Sequence, residues 1–147
     1  MHEEARARWM SALARAEPAA IEAAWEGLAP RPQYRLLRPP ETGLVMVRGR
    51  AGGTGAPFNL GEMTVTRCSV ELEGGRVGHA YVAGRDRRHA ETAAVFDALL
   101  QDEARRADLE ARVVQPLVRA REARQRESRT RVAATRVEFF TMVRGEE

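Results

Sequence analysis

The segment Pro40-Glu41-Thr42-Gly43-Leu44-Val45-Met46-Val47-Arg48-Gly49-Arg50-Ala51-Gly52-Gly53-Thr54-Gly55 offers the clearest opportunity for ligand chemistry in the chain. An apolar run leads into a loop in which Gly52, Gly53 and Gly55 surround Thr54. Such a loop can turn several backbone amides toward one point and bind an anion. Arg48 and Arg50 stand beside it, and guanidinium groups clamp phosphate or carboxylate through two parallel hydrogen bonds. The plainer reading is a turn whose glycines supply positive φ, and composition alone favours it. A second constellation is Gly84-Arg85-Asp86-Arg87-Arg88-His89-Ala90-Glu91. Here a strand ends and a helix begins, a geometry that suits anions. Capping by Asp86 beside a solvated arginine cluster is an equally good reading; arginines at a helix N-terminus oppose its dipole, so Glu91 or an external anion should compensate them. The anion-binding candidates are therefore Arg48, Arg50, Gly52, Gly53, Thr54, Gly55, Arg85 and His89.

Other chemistries find less support. Residues 119–136 carry seven arginines against Glu122 and Glu127, a local +5 in a chain whose net charge is +3. Nucleic-acid contact is one reading of that stretch. It contains no aromatic side chain for base stacking, so a solvated or partner-facing helix is the preferred one. His2, His79, His89 and Cys68 show no pair at a metal-ligand spacing. His79 reads as a satisfied sheet histidine sharing a face with Tyr81. No Gly-x-Ser-x-Gly elbow exists, and Ser11, Ser69 and Ser128 fall inside helices or strands. Catalytic residues are not identifiable.

Composition narrows the classes further. Lysine is absent, which excludes a phosphate-binding loop of the GxxxxGK[ST] type and Schiff-base catalysis. One cysteine, Cys68, makes no internal disulfide and cannot alone hold an iron–sulfur cluster. The N-terminus, Met1-His2-Glu3-Glu4, is acidic and unlike a signal peptide, and no apolar run approaches a membrane span. The expected location is the cytoplasm. At 147 residues the chain is read as one domain, 1–147.

Apolar periodicity outlines the elements that must position these residues. Trp9, Ala12, Leu13 and Ala16 repeat at helical spacing over residues 3–16, and Ile21, Ala24, Trp25 and Leu28 do so after Pro18. Pro30 and Pro32 end the helical region. Residues 34–38, 44–48, 62–73 and 77–83 read as four strands of an antiparallel meander, with a bulge near Thr66–Arg67 and a hairpin at Gly74-Gly75. Helix returns near Arg87 behind an Asp86 N-cap, with Ala93, Phe96, Leu99 and Leu100 on its apolar face. Leu109, Val113, Leu117 and Ala120 continue it, and Pro116 should kink or split that stretch. A last apolar run, residues 137–143, reads as a short terminal strand. Phe139 and Phe140 would point to opposite faces of it. Phe139, Phe140, Met142 and Arg144 are accordingly candidates for contact with a partner. The fold class is α+β: N-terminal helices, a sheet covered on one face, and C-terminal helices.

Taken in order, Glu41-Thr42-Gly43-Leu44-Val45, Gly52-Gly53-Thr54-Gly55, Thr66-Arg67, Gly84-Arg85-Asp86 with His89-Ala90-Glu91, and Phe139-Phe140-Thr141-Met142-Val143-Arg144-Gly145 resemble the PhnG family over nearly the whole chain. That family supplies a subunit of the bacterial carbon–phosphorus lyase system. The resemblance implies assembly with PhnH, PhnI and PhnJ, and cooperation with the ATPase-like PhnL. The complex would transfer ribose triphosphate from MgATP to an alkylphosphonate, giving α-D-ribose 1-methylphosphonate 5-triphosphate and adenine. It further implies that the nucleosidase-type activity belongs to PhnI and the iron–sulfur cluster to PhnJ. This chain would bind no cofactor itself and would serve a transferase complex without being catalytic alone. A small basic nucleic-acid-binding protein acting through residues 119–136 is the alternative.

Overall fold

The computed structural model describes residues 2–136. Helix α1 (His2–Ala14) carries Glu3 and Glu4 in its first turn, where carboxylates complement the helix dipole. Its buried face holds Trp9, Ala12 and Leu13, at the spacing read from the sequence. Helix α2 (Pro18–Glu26) opens on Pro18, and Ile21 and Trp25 are buried from it. Both helices pack on the same central helix, α3 (Arg87–Leu100).

Among the described residues the sheet has three antiparallel strands in the order β1-β2-β3, not the four expected. Segments 34–38 and 44–48 are parts of a single strand, β1 (Tyr34–Gly49). Pro39 and Pro40 fail to separate them because β1 is at the edge of the sheet among the described residues, where a missing N–H removes no interior ladder bond. The irregularity appears instead as register shifts between Leu36 and Arg38 and between Arg38 and Glu41. Strand β2 (Phe58–Leu72) starts earlier than expected and has no bulge at Thr66–Arg67 on its β3 side. Its pairing with β3 (Val77–Ala83) is unbroken from Val65↔Ala83 to Glu71↔Val77. The change of apolar phase has another cause. Cys68, Val70 and Leu72 face the core, whereas Met63 and Val65 lie on the other face. Gly74 and Gly75 turn β2 into β3 with φ of 98° and 85°, the positive values this tight hairpin needs.

Helix α3 lies across the inner face of all three strands. Asp86 caps it, accepting from the His89 amide at 2.9 Å. Ala93, Ala94, Val95, Phe96, Ala98 and Leu99 are buried, so the helix is sealed on nearly every side. Gly78 makes the close approach possible. A Cβ there would overlap the Ala94 carbonyl and lie 2.6 Å from the Ala98 nitrogen. Asp97, fully buried, ties three elements together. It accepts from Arg6 Nη2 at 2.8 Å and Trp9 Nε1 at 2.9 Å on α1, and from the His79 amide at 2.9 Å on β3.

Helix α4 (Glu103–Leu109), capped by Asp102, runs into one wide π-helical turn, Glu110–Val114, and then α5 (Gln115–Ala134). Pro116 thus splits the stretch as expected. The wide turn, with the Gln115 amide reaching back to Glu110, takes up the room that the proline ring demands. The architecture is α+β, with helices on one face of the sheet and His79 and Tyr81 exposed on the other. The expected terminal strand, 137–143, lies outside the described residues.

Candidate functional site

Strand β3 pairs only with Val65–Glu71 of β2, so among the described residues the rest of β2 has β1 as its single strand neighbour. The two strands therefore project past β3 as a ribbon, from Leu44↔Thr64 to Gly49↔Phe58. At strand rise the ribbon reaches roughly 20 Å. Its side chains are apolar on both faces. Leu44 and Met46 point one way, and Val45 and Val47 the other, with Val45 directly opposite Met63. Leu44 is 64% exposed, Leu60 61%, Met46 58% and Phe58 46%. Scattered exposed apolar residues are ordinary, but a contiguous set on one projecting element marks a contact surface. A two-stranded ribbon is also marginal in water on its own, and among the described residues no strand pairs with the outer edge of β1.

The glycine loop sits at the tip of this ribbon. Ala51–Gly53 forms a short 3₁₀ turn, with φ of 64° at Gly52 and 77° at Gly53. The Gly55 amide donates back to the Ala51 carbonyl at 3.3 Å, so one loop amide is already satisfied. Thr54 is exposed, as are Arg48 and Arg50, and neither arginine is in an ion pair among the described residues.

Arg85 stands at the other end, by the ribbon's root. The Gly84 amide donates to the Thr64 carbonyl at 2.9 Å, and the Gly84 carbonyl accepts from Thr66 Oγ1 at 2.8 Å. Thr66 is fully buried and its hydroxyl lies 3.0 Å from that of Thr42. The structure therefore holds Arg85 about a ribbon's length, roughly 20 Å, from the tip arginines. His89 is apart from both. It is buried, and its Nε2 donates to the Leu13 carbonyl at 2.7 Å, docking the start of α3 on the end of α1. The eight anion-binding candidates do not form one site. Arg48, Arg50 and the 52–55 loop are grouped; Arg85 is separate, and His89 serves packing. Phe139, Phe140, Met142 and Arg144 lie outside the described residues.

Charge at the root is partly paired within the chain. Arg38 and Arg67 flank Glu41 at 2.7 and 3.4 Å, and the Arg38 hydrogen bond pulls the Glu41 carboxyl below its usual range. A depression of about 210 Å³ beside this pair is lined by Gly43, Val45, Val65 and Tyr81. On the inner side, burial first and then the Glu91 carboxylate push the Tyr34 phenol up to about 12; its hydroxyl donates to Glu91 at 2.6 Å. Glu91 is thus engaged by Tyr34. Burial pushes the Cys68 thiol up to about 11. Among the described residues no group of three or more His, Cys, Asp or Glu could hold a metal ion. No described helix is long and apolar enough to cross a membrane.

The exposed ribbon was not singled out from the sequence. A signal was there: Leu44-Val45-Met46-Val47 is apolar without alternation, so both faces of that strand need cover. Among the described residues no helix covers Leu44 or Met46 on one face, and Val45 is left partly open on the other.

Comparison with known proteins adds the family. Residues 4–145 match the model described as "Phosphonate metabolism protein PhnG". A Rhizobium meliloti (strain 1021) protein named alpha-D-ribose 1-methylphosphonate 5-triphosphate synthase subunit PhnG is 49% identical over 142 residues, covering 97% of this chain and 90% of its own length. On these matches, the chain belongs to the PhnG family of phosphonate metabolism proteins.

Proposed function

We propose that this chain is the PhnG subunit of an α-D-ribose 1-methylphosphonate 5-triphosphate synthase and that its main task is assembly. The observation carrying the assembly role is the projecting ribbon, whose Leu44, Met46, Phe58 and Leu60 are exposed together. Another subunit covers them. The expected partners are PhnH, PhnI, PhnJ and PhnL, working in the cytoplasm. The complex would use MgATP and an alkylphosphonate, release adenine, and keep its iron–sulfur cluster in a partner. The name of the relative, 49% identical over nearly all of this chain, supports the same reading. The test is reconstitution. The other subunits without this chain should lose transfer of ribose triphosphate, and this chain alone should release no adenine. Adenine release by the isolated chain would contradict the assembly role.

A second reading has the ribbon tip lending charge to a shared active site. Arg48 and Arg50 favour it, since both are exposed and outside any ion pair among the described residues. They would clamp triphosphate or phosphonate oxygens. Replacing both with alanine should then abolish transfer in a complex that still assembles. Full activity would remove this reading and leave assembly intact.

A further inference from the structure

Helix α5 leaves the body of the domain partway along its length. Leu117 is its last buried residue, and Arg124, paired with Glu17 at 3.2 Å, makes its last ion pair to the body among the described residues. Residues 125–134 are all exposed. At helical rise they extend about 15 Å past that pair. The projecting part is mostly polar, with Val132 its one large apolar side chain and that exposed, and a helix of this kind is sustained by many internal pairs or by a partner. Internal pairing is sparse: Glu127 with Arg131 at 3.2 Å is the one ion pair within α5 among the described residues. Arg126 and Arg129 are neighbours at i, i+3, as are Arg121 and Arg124, and like charges at that spacing repel.

The arginines are also ordered. Arg119, Arg126 and Arg129 fall at i, i+7 and i+10, on one side of the helix. All three are exposed and outside any ion pair among the described residues. Ala123, Thr130 and Ala133 flank them with small side chains, and Glu122 is the one acidic residue on the same side.

We infer that the exposed Arg119–Arg126–Arg129 stripe of α5 docks on an acidic protein surface of another synthase subunit. The matching surface carries carboxylates spaced about 10 and 5 Å along the α5 axis, from helical rise. Each arginine can take one carboxylate in a two-pronged pair, which also relieves the repulsion within the helix. Protein is favoured over nucleic acid by composition. Residues 119–136 hold no aromatic side chain and include Glu122 and Glu127. The rest of the chain is net −2, from +3 overall less +5 in this stretch, and would be repelled by phosphate. This surface is distinct from the apolar ribbon and rests on the subunit reading above.

The experiment is co-expression of this chain with the other synthase subunits, one of which carries an affinity tag, and measurement of chain retained per tagged subunit. The variants are Arg119→Glu/Arg126→Glu/Arg129→Glu and the corresponding triple glutamine. Circular dichroism of each confirms retained helix, which is expected because all three positions are exposed. Retention should fall at least about tenfold for the glutamate variant and less for the glutamine variant, and wild-type retention should weaken between about 0.1 and 0.5 M salt. Wild-type retention of the glutamate variant would overturn the α5 proposal alone. Failure of the wild-type chain to be retained would overturn the subunit reading. Salt-sensitive binding of duplex DNA through the same arginines, with retention in the complex unchanged, would assign the stripe to nucleic acid instead.

Discussion

Trp9 Nε1 donates to Asp97 Oδ1 at 2.9 Å, joining two buried residues that lie 88 positions apart in the sequence. The same carboxylate takes Arg6 and the His79 amide, so one side chain fastens α1 and β3 to α3. Asp97→Ala would leave a buried indole N–H and a backbone N–H unpaired. A loss of about 3 kcal/mol in unfolding free energy is expected. Arg6→Gln, which removes only the partly exposed partner, should cost about 1 kcal/mol. Urea denaturation of the two variants measures both.

Gly78 should tolerate no side chain. Its missing Cβ leaves the space taken by the Ala94 carbonyl and the Ala98 nitrogen of α3. Gly78→Ala must push the helix off the sheet, at a cost of about 2–3 kcal/mol. Gly43, with nothing within 4 Å of an added Cβ, is the control. Gly43→Ala should change stability by less than about 0.5 kcal/mol in the same denaturation series.

Alkaline stability follows from two raised acidities. The Tyr34 phenol moves from 10.0 to about 12, chiefly through burial and then through Glu91. The Cys68 thiol moves from 9.0 to about 11, chiefly through burial. Both groups hold their protons more tightly folded than unfolded. Their contribution to stability is therefore complete below the unfolded values and is lost as pH rises through the folded ones. Tyr34→Phe should flatten the fall in urea midpoint between about pH 10 and 12, and Cys68→Ala between about 9 and 11. Unchanged slopes in these windows would show that neither group couples to folding.

The helices were the most legible part of the chain. Trp9 and Leu13, Ile21 and Trp25, and Phe96 and Leu99 are buried where their spacing placed them, because a helix in one packed layer needs one apolar stripe. The Asp86 cap and the Gly74-Gly75 turn were readable for the same reason: each is fixed by local backbone chemistry. The number of strands was not readable. Pro39-Pro40 looks like a break, and only the strand's position at the sheet edge makes it harmless. Nor was the fate of His89 visible. Its sequence neighbours are arginines, but its ring meets the Leu13 carbonyl, 76 positions away. Leu44–Val47 read correctly as strand, while its exposure depended on where β3 stops.

On the assembly proposal, the ribbon residues contribute contacts to another chain and little to folding. Leu44→Ser with Met46→Ser should therefore leave the unfolding free energy of the isolated chain within about 0.5 kcal/mol of wild type. The same variant should aggregate less than wild type in light scattering, because two of the most exposed apolar side chains of the ribbon are gone.

The central claim is that the ribbon joins this chain to the rest of the synthase. The most direct measurement is the mass of the complex purified after co-expression of the other subunits with wild type or with Leu44→Ser/Met46→Ser. A complex containing this chain for wild type and lacking it for the variant, with the variant folded by circular dichroism, is the predicted result. A complex of identical mass and composition from both would contradict the claim.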